Sequence, residues 1–370
     1  MLSHLRIGEF EWLGPAPFAG TMLAELGAEV IVVHRPQSGP PQSPAPATPP
    51  APSLLDRGKR SIVLDLKSKD DLRVARALIQ TADGVIEGLR PGVMERLGLG
   101  PDQVMADTPN LVYGRMTGWG QDGPRATTAG HDLAYIGVSG ALWYAGAPGT
   151  PPLTPATLVG DIGGGAMYLV AGLLAGFLQA AKTGKGTVGD AASVDGSAHM
   201  TALLMAMAAQ GHMQEARGQS LLDGPHWCQS YDCEDGAWLT VQALEPQFYA
   251  VFLERMGLAQ DPGFAPQYDR DLWPEQTARR RAIFAAAPRA HWLTLFEGTD
   301  ACAAPVLSPW EAEHDPHMAH RGVWQRAGET LQPAPAPRFD GKRGQVGAPP
   351  ERGADGAAIR EELRARGILS

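Results

Sequence analysis

The sequence predicts an α/β protein with a large Rossmann-like open-sheet domain and a smaller α+β domain. Strand and helix patterns alternate through the first hundred residues, which is typical of a sheet with helices on both faces. The composition changes near residue 226, where aromatic residues and a hairpin pattern begin. The length of 370 residues leaves room for two domains of this kind.

The predicted elements of the large domain follow in order. A strand over 5–10 leads through a Gly- and Pro-rich turn into a helix that ends at Gly27. The β-branched run 30–33 predicts a strand buried on both faces. The Pro-, Ala- and Ser-rich residues 37–53 predict an exposed loop. The alternation then continues with a strand over 61–66, a helix over 69–82, a strand at 85–86, a short helix ending at Gly98 and a strand over 111–116.

The second half of the chain predicts mostly helices. Two apolar helices are expected over 164–182 and 196–210. The second is apolar nearly all round, so we expect a partner subunit to cover it. The run 166–178 is too short to span a bilayer, which takes about 20 residues, and predicts a buried helix whose Gly172 and Gly176 admit a second backbone. A hairpin turning at Asp235-Gly236, further helices and a last helix over 357–366 complete the chain.

These patterns predict domain boundaries. We expect the large domain to comprise 1–190 and 330–370, and the small domain 226–305. The segments 191–225 and 306–329 are then linkers.

Composition excludes several classes of function. The net charge of −9 disfavours binding to nucleic acid or to an anionic membrane. Three cysteines and the lack of an early apolar segment predict a cytoplasmic protein in a reducing compartment. His314, His317 and His320 are spaced three apart, but Pro316 lies within the run and no known ligand pattern accompanies it, so we expect no metal site.

Three residues are candidates for chemistry. His131 lies in Gly-His-Asp, Asp161 precedes the long apolar helix, and Glu245 ends a predicted strand. Asp161 could instead only cap that helix, His131 could be a loop histidine, and Glu245 a solvated turn residue. Alternatively, free N–H groups of a helix starting near Gly163 could stabilise an oxyanion. Two acid/base groups on opposite faces of one carbon could then remove a proton and return it.

At these residues the chain resembles the family III CoA-transferases and, among them, the α-methylacyl-CoA racemases. The resemblance covers most of the chain and rests on eight segments in the same order: 14–36, 57–67, 82–101, 111–126, 130–140, 158–175, 184–198 and 243–249. Three departures stand out. His34 precedes Arg35 where an acid is frequent, and the Pro-rich loop 37–53 and the tail after Phe339 are unusual.

The resemblance implies an isomerase of lipid metabolism that acts on acyl-CoA thioesters. It makes His131 and Asp161 the two catalytic bases and Glu245 the support of the histidine. It also implies an interlocked homodimer whose active sites are shared, with Glu245 supplied by the partner. No metal or other cofactor is implied, because CoA is part of the substrate. The implied CoA contacts are Arg35, Leu66, Lys67, Arg90, Gly130, Asp132, Leu133, Ala134 and Tyr135.

The same resemblance leaves an alternative, a CoA-transferase in which Asp161 is the nucleophile. The presence of both His131 and Glu245, which a transferase does not need, favours the racemase. A non-catalytic relative would lack one of the three residues, and all three are present.

Overall fold

The computed structural model describes residues 1–37 and 53–370. The predicted Pro-rich loop over 37–53 therefore lies, except for its two end residues, outside the described residues. The chain forms two units. The first comprises Met1–Ala141, Pro155–Met200 and His320–Ser370, and the second Leu142–Thr154 and Thr201–Ala319.

A six-stranded parallel sheet is the centre of the first unit. Its strands lie in the order β3-β2-β1-β4-β5-β6, and every neighbouring pair is parallel. The strand order reverses between β1 and β4, and ligands of open α/β sheets bind at the carboxyl ends of strands beside such a reversal. The strands are β1 Arg6–Phe10, β2 Glu29–His34, β3 Arg60–Val63, β4 Gly84–Glu87, β5 Val112–Thr117 and β6 Thr187–Ala192.

Helices pack on both faces of this sheet. Alternate residues of the central strands enter two separate apolar clusters: Ile31 and Val33 belong to one, and Val30 to the other. The predicted burial of this strand on both faces is confirmed. The helices described in this unit up to residue 200 are α1 Pro15–Glu25, α2 Lys69–Gln80, α3 Val93–Arg96, α4 Pro101–Met105, α5 Asp132–Ser139, α6 Met167–Thr183 and α7 Ser193–Met200.

The second unit contains a three-stranded antiparallel sheet flanked by helices. Its hairpin turns at Asp235 and Gly236, as predicted, and Gly236 adopts a left-handed φ of 74°. The elements after residue 200 are α8 Ala202–Ala209, β7 Cys228–Asp232, β8 Trp238–Gln242, α9 Pro246–Arg255, α10 Trp273–Phe284, α11 Arg289–Phe296, β9 Ala303–Val306, α12 Pro309–Ala312, α13 Pro316–Arg321, β10 Trp324–Ala327, β11 Thr330–Pro333 and α14 Gly356–Ala365, the last three lying in the first unit.

The segments expected to be linkers are folded parts of the two units. The segment 191–225 contains α7 and α8, and the segment 306–329 contains α12 and α13. Leu142–Thr154, placed by prediction in the large domain, lies in the second unit. Arg217 of the second unit helps to hold this segment there, because its guanidinium donates to the carbonyls of Thr150 and of residues 145–147.

The long apolar helix begins earlier than predicted. A π-helical segment, Leu158–Ala166, runs directly into α6, and the continuous helix Leu158–Thr183 is, among the described residues, long and apolar enough to cross a membrane by length and composition. A core helix passes the same test. Leu169 and Leu173 are buried against the sheet, whereas Leu178 is 75% exposed. The predicted buried helix is thus buried on one side.

The two glycines of α6 differ in their surroundings. A Cβ at Gly176 would lie 2.5 Å from Val112 Cγ1, so this glycine permits close packing on β5. At Gly172, apart from its chain neighbours and the backbone of its own helix, no heavy atom of the described chain lies within 4 Å of such a Cβ. None of the α8 side chains is buried within the described chain, and Leu203 is 68% exposed. Burial of α8 against a partner stays a prediction.

Candidate active site

The carboxyl edge of the parallel sheet gathers several predicted CoA contacts. Arg35 follows β2, Leu66 and Lys67 follow β3, and Arg90 follows β4. Arg35, Lys67 and Arg90 are exposed, whereas Leu66 is half-buried against an apolar cluster. The structure therefore aligns three predicted cationic contacts along one edge of the sheet.

The Gly-His-Asp segment begins helix α5. His131 is the exposed residue just before the helix, and Leu133 and Ala134 are exposed in its first turn. The Tyr135 hydroxyl donates to the Gly130 carbonyl, and its ring meets Trp119 edge to face at 4.9 Å. A Cβ at Gly130 would lie 2.7 Å from each of these aromatic side chains. Glycine is therefore required where the chain passes between them.

Asp132 joins the two motifs that carry the candidate bases. Its Oδ1 accepts hydrogen bonds from the backbone N–H groups of Gly160, at 2.8 Å, and of Asp161, at 2.9 Å. Asp132 is 5% exposed. A Cβ at Gly160 would lie 2.5 Å from Asp132 Oδ1, so only glycine allows this approach. One buried carboxylate thus brings α5 and the π-helical segment together.

Asp161 lies inside a helix and does not cap it. The π-helical segment begins at Leu158, after Thr157, so the suggestion that Asp161 is an N-cap is wrong. The expectation of free N–H groups where a helix starts near Gly163 is also wrong, because Gly163 is internal to the helical segment. The N–H groups of Gly160 and Asp161 are bonded to Asp132.

The glycine run after Asp161 permits two backbones to touch. A Cβ at Gly164 would lie 2.6 Å from the backbone nitrogen of Ser197, and one at Gly196 would lie 1.9 Å from the carbonyl oxygen of Gly164. Helix α7 therefore crosses the π-helical segment at a distance that only glycine allows. This packing fixes the turn that carries Asp161.

The carboxyl group of Asp161 has an altered acidity. Burial and the negative charge of Asp132 raise its pKa, the charge of His131 opposes both, and the net result is a pKa of about 6. A Cβ at Gly14, the residue before α1, would lie 3.8 Å from Asp161 Oδ2, so the carboxylate faces the turn after β1. A carboxyl group with a pKa near 6 can both accept and donate a proton near neutral pH.

Comparison with known proteins decides the family. The sequence matches CoA-transferase family III over residues 2–356. The chain belongs to this family. The predicted resemblance, the predicted fold class and the prediction of an enzyme are confirmed. The interlocked homodimer stays a prediction.

Some relatives of this family III member are named racemases and others CoA-transferases. Alpha-methylacyl-CoA racemase of Mus musculus is 37% identical over 340 residues, 91% of this chain and 86% of the relative. Acetyl-CoA:oxalate CoA-transferase of Acetobacter aceti is 29% identical over 94% of this chain and 92% of the relative. The crystal structure of a CAIB/BAIF family protein from Brucella suis covers 98% of this chain and 99% of its own, with a TM-score of 0.81 and 24% identity.

Glu245 lies in the other unit of the family III chain. It is exposed and directly precedes α9, whose first residue is Pro246. Burial raises the pKa values of Tyr268 and Cys302, and the charge of Glu245 adds to both shifts, so these two side chains are its neighbours. His131 and Asp161 belong to the first unit and Glu245 to the second. The pairing of Glu245 with His131 stays a prediction.

Sequence reasoning assigned Asp132 to CoA and missed its contact with Asp161. The available signal was the acid directly after His131, because a carboxylate beside a candidate base can tune or orient it. Within residues 1–37 and 53–370 no group of three or more His, Cys, Asp or Glu side chains could hold a metal ion.

Proposed function

We propose that this family III enzyme is an isomerase that interconverts (2R)- and (2S)-2-methylacyl-CoA thioesters. The observation that carries the proposal is the Asp132 carboxylate, next to His131 in sequence, which accepts the backbone N–H groups of Gly160 and Asp161 and so joins the segments of the two candidate bases. The raised pKa of Asp161, about 6, supports its role as a base. The identity of 37% with the mouse protein named alpha-methylacyl-CoA racemase supports the same reaction. The proposed substrate class is an acyl-CoA with one substituent on the carbon next to the thioester.

The proposed reaction is a two-base proton transfer. The thioester acidifies the α-proton, one base removes it, and the electron pair moves to the thioester oxygen as an enolate. The second base then returns a proton to the opposite face of the α-carbon, which inverts it. His131 and Asp161 serve as the two bases and exchange roles when the reaction runs in reverse. The reaction as proposed consumes no metal or redox cofactor, and CoA enters as part of the substrate.

We further propose a homodimer with shared active sites. Glu245 of the partner subunit orients His131, as the third group does in a catalytic triad. The exposed position of Glu245 and the exposed apolar side chains of α8 support an assembly of this kind.

The proposal is tested by incubating the protein with pure (2S)-2-methylacyl-CoA in D₂O. We expect deuterium at C2 together with drift of the (2R):(2S) ratio towards a mixture. Neither exchange nor epimerisation, across several acyl chains, would overturn the proposal.

The pH dependence of the reaction gives a second prediction. In the direction in which Asp161 removes the proton, kcat/KM is expected to fall about tenfold per pH unit below about pH 6, because protonated Asp161 is no longer a base. In Asp132→Asn this acidic limb of the profile, the fall of kcat/KM, is expected to begin at a lower pH. Asparagine keeps an oxygen for the two backbone N–H groups but removes the like charge that raises the pKa of Asp161. A limb that stays in place would contradict the assignment of this ionisation to Asp161.

The transferase is the second candidate, because the chain also resembles the Acetobacter aceti CoA-transferase. In that reaction the Asp161 carboxylate attacks the thioester carbonyl, the CoA thiolate leaves, and a mixed anhydride forms. Incubation with acyl-CoA and hydroxylamine, followed by mass spectrometry, distinguishes the two reactions. A hydroxamate on Asp161 supports the transferase, and an unmodified Asp161 supports the racemase.

A further inference from the structure

Arg35 is fixed by a network that begins in the C-terminal tail. The side chain of Arg35 is 65% exposed, and its guanidinium lies 6.0 Å from the centre of the Trp12 ring. Both residues follow parallel strands at the carboxyl edge of the sheet, where ligands of such sheets bind. An exposed guanidinium beside an indole ring is suited to a phosphate or a nucleobase.

Glu11 connects the ends of β1 and β2. Its Oε2 accepts the backbone N–H of Arg35 at 2.8 Å and lies 3.5 Å from the Arg35 Nε. Burial alone would raise the pKa of Glu11, but hydrogen bonds from His34 and Arg352 outweigh it and hold that pKa far below its usual range. Glu11 is therefore ionised throughout the working pH range.

Arg352 completes the network from the tail. Its two Nη atoms donate to the two oxygens of Glu11, each at 2.7 Å, which is a bidentate pair. Nη2 also donates to the Arg35 carbonyl at 2.6 Å, and Nη1 lies 3.0 Å from His34 Nδ1. The N–H and the carbonyl of Arg35 are thus both bonded to one ion pair.

The tail residues next to Arg352 are attached to the sheet. Gly353 N–H donates to the Ser61 hydroxyl at 2.7 Å, and an Asp355 oxygen accepts the Ser61 N–H at 2.8 Å. Asp355 N–H donates to the Ser61 carbonyl at 2.9 Å. Ser61 is fully buried in β3. Arg352 therefore approaches the ends of β1 and β2 from a fixed backbone.

We propose that Arg352 and Glu11 are positioning residues that hold Arg35 for the nucleotide end of the CoA thioester. This inference rests on the proposed function only in taking CoA as the ligand. Arg352 acts through the backbone of Arg35 and does not touch the reacting carbon. Its loss therefore weakens binding of the adenosine and phosphate part and spares the chemical step.

The test compares Arg352→Gln and Arg352→Lys with the native protein. Arg352→Gln is expected to raise the Kd for CoA, measured by calorimetry without an acyl chain, about tenfold. The Kd of Arg352→Lys is expected to lie between those of the native protein and Arg352→Gln, because lysine keeps the charge but cannot form the bidentate pair. In turnover, KM for 2-methylacyl-CoA should rise while kcat stays within about twofold. Arg360→Gln, which removes another tail ion pair, the one with Asp71, is the matched control and should leave the Kd unchanged.

A truncated substrate separates positioning from general damage. The kcat/KM for 2-methylacyl-pantetheine, which lacks the nucleotide, should be the same in Arg352→Gln and native protein. An unchanged Kd for CoA, or an equal loss with the truncated substrate, would overturn the inference. Because CoA binding is measured without catalysis, native protein that binds CoA but does not epimerise would overturn only the proposed function. Glu11→Gln provides a second variant if Arg352→Gln does not fold, and the same rise in Kd is expected.

Discussion

Asp161→Asn is expected to lower the rate of epimerisation at least ~100-fold, the scale of a lost general base. Asparagine has nearly the shape of aspartate but cannot take or give a proton at neutral pH. His131→Ala should have an effect of the same size, because each turnover uses both bases. The measurement is the (2R):(2S) ratio over time, starting from either pure enantiomer.

Asp190→Asn is the matched control for this prediction. Asp190 lies in β6, burial raises its pKa as well, and it accepts the backbone N–H of Gln121. Asparagine can accept the same hydrogen bond, so turnover should stay within about twofold. Near-normal turnover in Asp161→Asn or His131→Ala would contradict the two-base assignment.

Asp161→Asn should also alter the stability of the protein. The folded state raises the pKa of Asp161 from 3.8 to about 6, so its protonated form is favoured there. The stability associated with this proton is present below pH 3.8 and is lost as the pH rises through 6. After a discount for solvent exposure of the half-buried group, Asp161→Asn should gain about 1 kcal/mol at pH 8 and little at pH 4. Thermal unfolding at the two pH values measures the difference, and an equal effect at both would contradict the raised pKa.

The second large effect is expected for Gly196→Ala. The added Cβ would lie 1.9 Å from the carbonyl oxygen of Gly164, and neither backbone can rotate away as a side chain can. We expect the free energy of unfolding to fall by about 3 kcal/mol or more. Activity should fall as well, because the π-helical segment that carries Asp161 must move. Denaturant unfolding and turnover measure the two effects.

Gly172→Ala is the control for this substitution. Gly172 is also helical, but beyond its own helix no heavy atom of the described chain lies within 4 Å of its added Cβ. Alanine should therefore gain up to about 1 kcal/mol, because it restricts the unfolded chain more than glycine does. Equal stabilities of the two variants would show that α7 and the π-helical segment are not in backbone contact.

Local patterns predicted the sheet well. The β-branched run 30–33 and the hairpin turn at Gly236 depend on neighbours in sequence, so periodicity and turn chemistry could find them. The start of the long helix could not be found in this way. Glycines disfavour helix by about 1 kcal/mol each, so residues 158–166 resemble a turn. The close approach of Gly196 and the hydrogen bonds to Asp132 help to hold the helical conformation, and both join residues that are far apart in sequence.

In the candidate site, too, local motifs could be predicted from the sequence and contacts between distant residues could not. The motifs around His131 and Asp161 were visible as segments, and the resemblance to a family assigned their roles. The hydrogen bonds from Gly160 and Asp161 to Asp132 join residues nearly thirty positions apart, which no spacing rule connects. The contact of Arg352 with the Arg35 carbonyl could not be predicted for the same reason, because these residues come together only in the folded chain.

The most direct test of the two-base account uses the two single-base variants in D₂O. A base can exchange only the α-proton on the face that it meets. Asp161→Asn should therefore exchange the proton of one enantiomer of 2-methylacyl-CoA, and His131→Ala the proton of the other, both with little epimerisation. Exchange of the same enantiomer in both variants, or of both enantiomers in either one, would contradict the placement of His131 and Asp161 on opposite faces of the α-carbon.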